Sequence, residues 1–198
     1  MSDQSKNKGK TKNVKRQFPK WRELKPLLVF SLPTLKRKKA RLAAAYTIWD
    51  LRDIAKRRTP TGPFDYTDGS AESEVSLARA RKAYQDIEFN PSILKDVSKA
   101  DLTCEVLGQK FSMPMGIAPT GFARMMQTEG EIAGARAAEK FGIPFSLSTL
   151  GTTTIEDVVA AAPNGSNWFQ LYMWKDREGS MALVERAQKA GVKNLLLT

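Results

Sequence analysis

The sequence predicts an α/β protein, the first part of a parallel (β/α)8 barrel of the TIM type. Three observations predict it. Short apolar, β-prone runs begin at residues 115, 144, 167 and 194, spaced by 29, 23 and 27 residues. Helix-length segments with turn residues at their ends lie between them, the pattern of βαβ units and a parallel sheet. Each run also ends in hydroxyl or amide groups, at the end of the strand where such barrels keep their ligands.

In chain order, residues 1–20 carry seven Lys/Arg and one Asp, with almost no apolar residue before Val14. Low hydrophobicity with high charge reads as a basic disordered tail. The apolar run Leu27-Leu-Val-Phe-Ser-Leu32 is too short to span a bilayer. Residues 34–58 place Leu42, Tyr46, Trp49 and Ile54 at helical spacing among basic residues. Thr47 with Asp50 forms a capping pair for a helix running through Ile54 and Ala55, and Thr59-Pro-Thr-Gly-Pro63 stops it. Phe64–Ala71 reads as a turn-rich segment before a helix over 72–85. Residues 86–112 read as short strands with turns at Asn90-Pro91 and Leu107-Gly-Gln109, a lid over the barrel's bottom end. The expected divisions are therefore 1–20, a cap segment over 21–112, and barrel over 113–198.

The first barrel strand is Met115–Ala118, broken by Pro119, which has no N–H for a ladder. Gly121 lets the backbone approach another group closely. A helix follows from Glu129 to Phe141, stopped by Gly142. The second strand, Pro144–Ser148, precedes a helix over 155–162, which Thr154 and Asp157 open as a capping box and Pro163 closes. The third strand, Asn167–Tyr172, precedes a helix over 179–190, stopped by Gly191. Asn194–Leu197 is the fourth strand. Four strands and three helices are half of an eight-fold barrel, which needs about 250 residues, or roughly 200 at the least. The expectation is a fragment.

Composition narrows the chemistry. The 198 residues are 41% apolar, enough for one sizeable core. Residues 1–60 hold 18 Lys/Arg against 4 Asp/Glu, whereas residues 61–198 hold 14 against 17, so the basicity is confined to the N-terminal third. That third is either a solvated tail or a segment attracted to an acidic surface. No recognition-helix motif or aromatic interleaving points to nucleic acid. A lone cysteine, Cys104, excludes an internal disulfide and fits a reducing, cytoplasmic compartment. The chain has no histidine, so the commonest general base and metal ligand are missing. No metal site is expected.

The strand ends in order are Pro119-Thr120-Gly121, Ser148-Thr149, Gln170 with Tyr172, and Thr198. Polar groups inside apolar runs must find partners. They either cap the following loops and helices or share one ligand rich in donors and acceptors, such as a heteroaromatic ring.

Several segments resemble the FMN-dependent α-hydroxy-acid dehydrogenase/oxidase family. They are Ile117-Ala-Pro-Thr-Gly121, Thr128-Glu-Gly-Glu131, Ala135-Arg-Ala-Ala138, Leu147-Ser-Thr149, Trp168-Phe-Gln-Leu-Tyr172 and Lys175-Asp-Arg177. Phe64-Asp-Tyr66, Gly69-Ser-Ala71 and Glu74 resemble the family's N-terminal substrate-side motif. The match runs from about Thr47 to Thr198, and the basic leader with Lys56-Arg-Arg-Thr-Pro60 is similar to the bacterial L-lactate dehydrogenase branch. The resemblance implies FMN as cofactor. It implies that Pro119, Thr120 and Gly121 line the flavin near N5, and that Ser148, Gln170 and Thr198 bond the ring's polar edge. Tyr66 and Tyr172 would hold the substrate carboxylate or the developing ketone. The family's histidine base, carboxylate-clamping arginine, flavin-stabilising lysine and phosphate site belong to later strands, so no catalytic residue is expected here. Gln127 departs from the pattern, standing where relatives are expected to carry histidine.

The implied function is FMN-dependent oxidation of a small L-2-hydroxy acid, L-lactate to pyruvate first among them. Quinone or oxygen would be the electron acceptor. A homo-oligomer is implied, with peripheral contact at the inner face of the cell membrane through the basic N-terminus. The fragment alone is expected to be inactive and to bind FMN weakly or not at all. Two alternatives stand beside this: a flavoenzyme of the same family acting on a peptide-derived or other hydroxy acid, and a basic-tailed membrane- or nucleic-acid-binding module without activity.

Overall fold

The computed structural model describes residues 21–25 and 37–198. The expected tail over 1–20 and the apolar run Leu27–Leu32 lie outside the described residues. The chain divides into two compact units, Met1–Tyr46 and Thr47–Thr198. The first contains the short helices α1 (Trp21–Leu24) and α2 (Arg37–Ala43).

The second unit opens with α3 (Ile48–Lys56), begun by a reciprocal capping box. The Asp50 N–H donates to Thr47 Oγ1 at 3.3 Å, and the Thr47 N–H donates to Asp50 Oδ2 at 2.8 Å. Where a turn-rich segment was expected, a second helix forms, α4 (Thr61–Asp68). The prolines start it rather than merely stop α3. Pro60 is its N-cap with φ −54°, and Pro63 lies in the first turn, where a missing N–H costs no intrahelical bond. Phe64 fixes this helix by burial. α5 (Val75–Gln85) is shorter than the expected 72–85, because Glu74 takes a left-handed conformation ahead of it.

Of the expected short strands in 86–112, one hairpin forms: β1 (Cys104–Val106) against β2 (Gln109–Phe111), antiparallel. Its two central residues, Leu107 and Gly108, both have positive φ, +50° and +72°. That is the type I′ geometry that favours Asn-Gly, and leucine is strained there. Leu107→Asn should therefore raise stability by about 0.5–1 kcal/mol, read as a higher thermal midpoint. The hairpin sits at the N-terminal ends of the sheet strands. The Ser112 N–H donates to the Gly142 carbonyl at 3.0 Å, Ser166 Oγ donates to Gln109 Oε1, and Phe111 meets Trp168 edge-on.

The barrel segment has parallel strands in the order β3 (Phe145–Leu147), β4 (Asn167–Leu171), β5 (Leu195–Leu197). The expected strand Met115–Ala118 is reduced to a single bridge, Ile117 to Phe145. The Ile117 N–H donates to Pro144 O, and its carbonyl accepts from the Ser146 N–H. The reason lies in the flanks. Pro114 and Pro119 have no donors, and the Met115 N–H is used in a tight turn back to Met113 O. Helix α6 (Ala123–Met126) is one turn; α7 (Gly130–Phe141), α8 (Ile155–Ala161) and α9 (Arg177–Lys189) cover one face of the sheet. Gly142 ends α7 with φ +62°. Thr154 caps α8 by accepting from the Asp157 N–H at 3.1 Å. α9 begins two residues before the expected start, because Asp176 caps it by accepting from the Gly179 N–H.

The alternation of strand side chains sorts the interior. Phe145, Leu147, Phe169 and Leu171 pack on Ala135, Ala138, Val158 and Ala187 of the helices. Ser146, Ser148, Trp168, Gln170 and Leu196 occupy the opposite, concave face by the period of two. There Trp168 and Leu196 join Cys104, Phe111 and Met115 around an apolar cavity of about 340 Å³. Its lining suits core packing rather than a polar ligand.

Candidate functional site

At the C-terminal ends of the strands the polar groups form a connected row. Gln170 is only 2% exposed at the end of β4, and Ser148 is buried beside it. Ser148 Oγ donates to Gln170 Oε1 at 3.2 Å, and the Thr149 N–H donates to the same oxygen at 3.1 Å. A backbone N–H can only donate, so it fixes which end of the amide is oxygen. Gln170 Nε2 then donates to Thr198 Oγ1 at 2.7 Å. With Oε1 doubly engaged, the row has one amide N–H and the Thr198 O–H left to give. It is a donor edge, suited to a ligand rich in acceptors. A planar ring carrying carbonyl oxygens and ring nitrogens, as the polar edge of an isoalloxazine does, fits that donor set.

The row is tied to the Pro119-Thr120-Gly121 turn through one loop. The Leu150 N–H donates to Ser148 Oγ at 3.1 Å, and the Leu150 carbonyl accepts from the Phe122 N–H at 3.0 Å. Gly121 packs closely on this loop: a Cβ there would stand 3.1 Å from Leu150 Cβ, so Leu150 would have to give by a few tenths of an ångström. Phe122 itself is left-handed, φ +54°, and its ring meets Tyr66 edge-on at 6.5 Å. Tyr66 reaches the turn from α4 and is 67% exposed. Tyr172 is joined by its backbone, whose N–H donates to Thr149 Oγ1 at 3.0 Å. Ser148, Gln170 and Thr198 are thus in direct contact, while Tyr66 and the turn are connected to them through Leu150 and Phe122. The structure shows no contact between the two tyrosine rings.

A buried carboxylate locks this arrangement from behind. Glu131, on α7, is 3% exposed. It accepts from the Thr152 N–H at 2.7 Å, from Thr152 Oγ1 at 2.8 and 2.9 Å, and from Thr153 Oγ1 at 2.8 Å. Burial alone pushes its carboxyl up; the Thr152 and Glu131 backbone N–H groups and the threonine hydroxyls outweigh that and hold it below the ordinary carboxylate value. Thr152 Oγ1 also accepts from the Arg124 N–H at 3.2 Å. The loops after the first two strand positions are therefore bound into one piece. Reading for strand ends missed Glu131. Its signal was its position: it shares a helix face with Ala135 and Ala138, both buried.

Two further features of the surroundings follow from local chemistry. Gln127 serves the backbone, its Oε1 accepting from the Glu129 and Gly130 N–H groups at the start of α7. Arg52 holds the end of α4 in a two-pronged pair with Asp68, Nε to Oδ1 at 2.5 Å and Nη2 to Oδ2 at 2.7 Å. The Arg52 hydrogen bond holds the Asp68 carboxyl below its ordinary value. The Arg52 guanidinium also lies over the Phe64 ring at 5.8 Å. Among the described residues no group of three His, Cys, Asp or Glu side chains could hold a metal ion.

A parallel α/β barrel segment with polar groups at the C-terminal ends of its strands is the arrangement in which barrel enzymes place their sites. The chain belongs to the FMN-dependent dehydrogenase family, whose sequence model matches residues 55–198. It is 60% identical over 185 residues to a Mycobacterium tuberculosis protein named "Putative L-lactate dehydrogenase", covering 93% of this chain and 45% of that protein. It is 44% identical to glycolate oxidase of Spinacia oleracea, covering 73% of this chain and 39% of the relative. Identity to the L-lactate dehydrogenase of Ectopseudomonas mendocina is 42%, covering 75% and 39%. The chain thus spans less than half the length of these relatives. A crystal structure of mandelate oxidase superposes with a TM-score of 0.72 at 32% identity, covering 77% of this chain and 44% of that one. A mandelate oxidase variant with a C4a-OH-FMN adduct matches with a TM-score of 0.70 at 32% identity, covering 75% and 44%.

Proposed function

We propose that this chain is the flavin-facing first part of an FMN-dependent L-2-hydroxy-acid dehydrogenase that oxidises L-lactate to pyruvate. The observation that carries the reading is the donor row Ser148–Gln170–Thr198 beside the Pro119–Gly121 turn. In this reading the row bonds the polar edge of the isoalloxazine ring, and the backbone of Pro119, Thr120 and Gly121 lies along its reactive edge. The phenol O–H groups of Tyr66 and Tyr172 donate to the substrate carboxylate and to the oxygen that becomes the ketone. FMN supplies a two-electron acceptor, which the chain's own side chains do not. The preference for lactate over glycolate rests on the higher identity to the M. tuberculosis protein. Quinone or oxygen takes the electrons onward, the assembled protein is a homo-oligomer, and a lone cysteine suits the cytoplasm.

The chain contains no histidine to take the substrate's hydroxyl proton. Purified residues 1–198 should therefore leave an artificial electron acceptor oxidised when L-lactate and FMN are added. Steady reduction of the acceptor would overturn that part of the reading. In a protein that completes the barrel, kcat/KM should be higher for L-lactate than for glycolate or L-mandelate, and the reverse order would reassign the substrate.

A further inference from the structure

Where β3 and β4 run out, one side chain takes over the work of the main chain. The two strands pair in parallel with Leu147 opposite Phe169. Carried on toward the strand ends, that register sets Thr149 opposite Leu171. A regular parallel rung there would send the Thr149 N–H to the Gln170 carbonyl and the Tyr172 N–H to the Thr149 carbonyl. The Thr149 hydroxyl fills both places instead. Its Oγ1 donates to the Gln170 carbonyl at 2.6 Å and accepts from the Tyr172 N–H at 3.0 Å. The Thr149 N–H is thereby released, and it donates to Gln170 Oε1 at 3.1 Å.

This exchange has two consequences. Gln170 has its amide oxygen held by a main-chain donor, so its nitrogen is turned toward Thr198 Oγ1, 2.7 Å away. Tyr172 is the first residue beyond β4 (Asn167–Leu171), and the hydroxyl gives its N–H a partner past the end of the ladder. The segment that follows is held at a second point, where the Trp174 N–H donates to Ser180 Oγ at 3.1 Å; Ser180 is fully buried on α9. A hydroxyl can donate and accept at once, and an apolar side chain of the same shape can do neither. Threonine is also stiff at χ1, which keeps that oxygen in place.

We propose that Thr149 is a positioning residue: its hydroxyl sets the Gln170 amide and the Tyr172 backbone as one unit. A ring bonded by Gln170 and a substrate carboxylate bonded by Tyr172 are then held at a fixed spacing. The two ligands come from the flavin reading, on which this inference rests; the hydroxyl rung itself does not depend on it.

The test has two halves. In the 198-residue chain, amide hydrogen exchange followed by NMR reads the rung directly. Thr149→Val, the same shape without the hydroxyl, should speed exchange of the Tyr172 amide by about tenfold or more. The Phe145 and Val158 amides, bonded to Ser166 O and Thr154 O, should keep their wild-type rates and show that the body is intact. Thr149→Ser should restore protection. In a protein that completes the barrel, Thr149→Val should raise KM for L-lactate by about tenfold or more while FMN stays bound, and Thr149→Ser should bring KM back. Wild-type exchange at Tyr172 in Thr149→Val, an unchanged KM, or a serine variant as impaired as the valine one would each overturn the proposal. A completed wild-type protein that binds no FMN would overturn the flavin reading and the ligand roles drawn from it, and the exchange rates would still decide whether the hydroxyl holds Tyr172.

Discussion

Glu131→Ala should lower the unfolding free energy of the body by about 2–4 kcal/mol. The side chain is buried and ionised, and three donors converge on it. Removing it strands the Thr152 N–H in particular, because a backbone donor cannot rotate to a new partner as a hydroxyl can. Glu131→Gln keeps an acceptor but adds an amide donor to a site already full of donors, so it should cost roughly half as much. The pH dependence has a definite sign. The folded state holds the Glu131 carboxyl below its ordinary value of 4.5, so this stabilisation is fully present above that value. It is lost as the pH falls through the lower, folded-state value. Urea unfolding across acid pH should show wild type losing its advantage over Glu131→Gln on descent below the ordinary carboxylate range. A constant difference between the two at every pH would rule out the charged form as the stabilising species.

Gln170→Leu should have the largest effect on the site itself. The side chains are of similar volume, so packing is kept while every polar link is cut. Thr149 loses the acceptor of its N–H, Ser148 loses the acceptor of its hydroxyl, and Thr198 loses its donor. The cost to stability is about 1–3 kcal/mol. In a protein that completes the barrel, FMN affinity should fall by roughly tenfold to a hundredfold, through loss of one direct donor and disorder in its two neighbours. Gln170→Glu is the informative companion: it retains an acceptor for Thr149 but cannot donate. If FMN binds Gln170→Glu as tightly as wild type, the donor-edge assignment fails, whatever the stability data show.

Much of the fold was legible because α/β barrels write their period into the chain. β3, β4 and β5 and the three helices between the four strand positions follow from apolar spacing, the capping Thr154 and the terminal glycines Gly142 and Gly191. The exceptions have physical causes. Met115–Ala118 has strand composition, but two prolines and a local turn leave Ile117 as the single residue able to pair. Thr61–Asp68 has turn composition, yet its prolines occupy positions where a helix needs no N–H. The row Ser148–Gln170–Thr198 could be read from strand ends, since each residue stands at the close of an apolar run. Phe122 and Leu150 could not. Their importance comes from backbone geometry and from a carbonyl meeting an N–H across 28 residues, which no local pattern encodes.

The stitching of those two loops partitions the motion available to the site. Phe122 N–H to Leu150 O, Arg124 N–H to Thr152 Oγ1 and Thr152 to Glu131 leave neither loop able to swing without the other. Those bonds hold the polar groups of the inner wall in place, so a ligand lying against it would have little of the wall left to order. Tyr66 is different: it reaches the wall from α4, 67% exposed and touching Phe122 edge-on. Its helix is tied to α3 by the Arg52–Asp68 pair rather than to the two stitched loops.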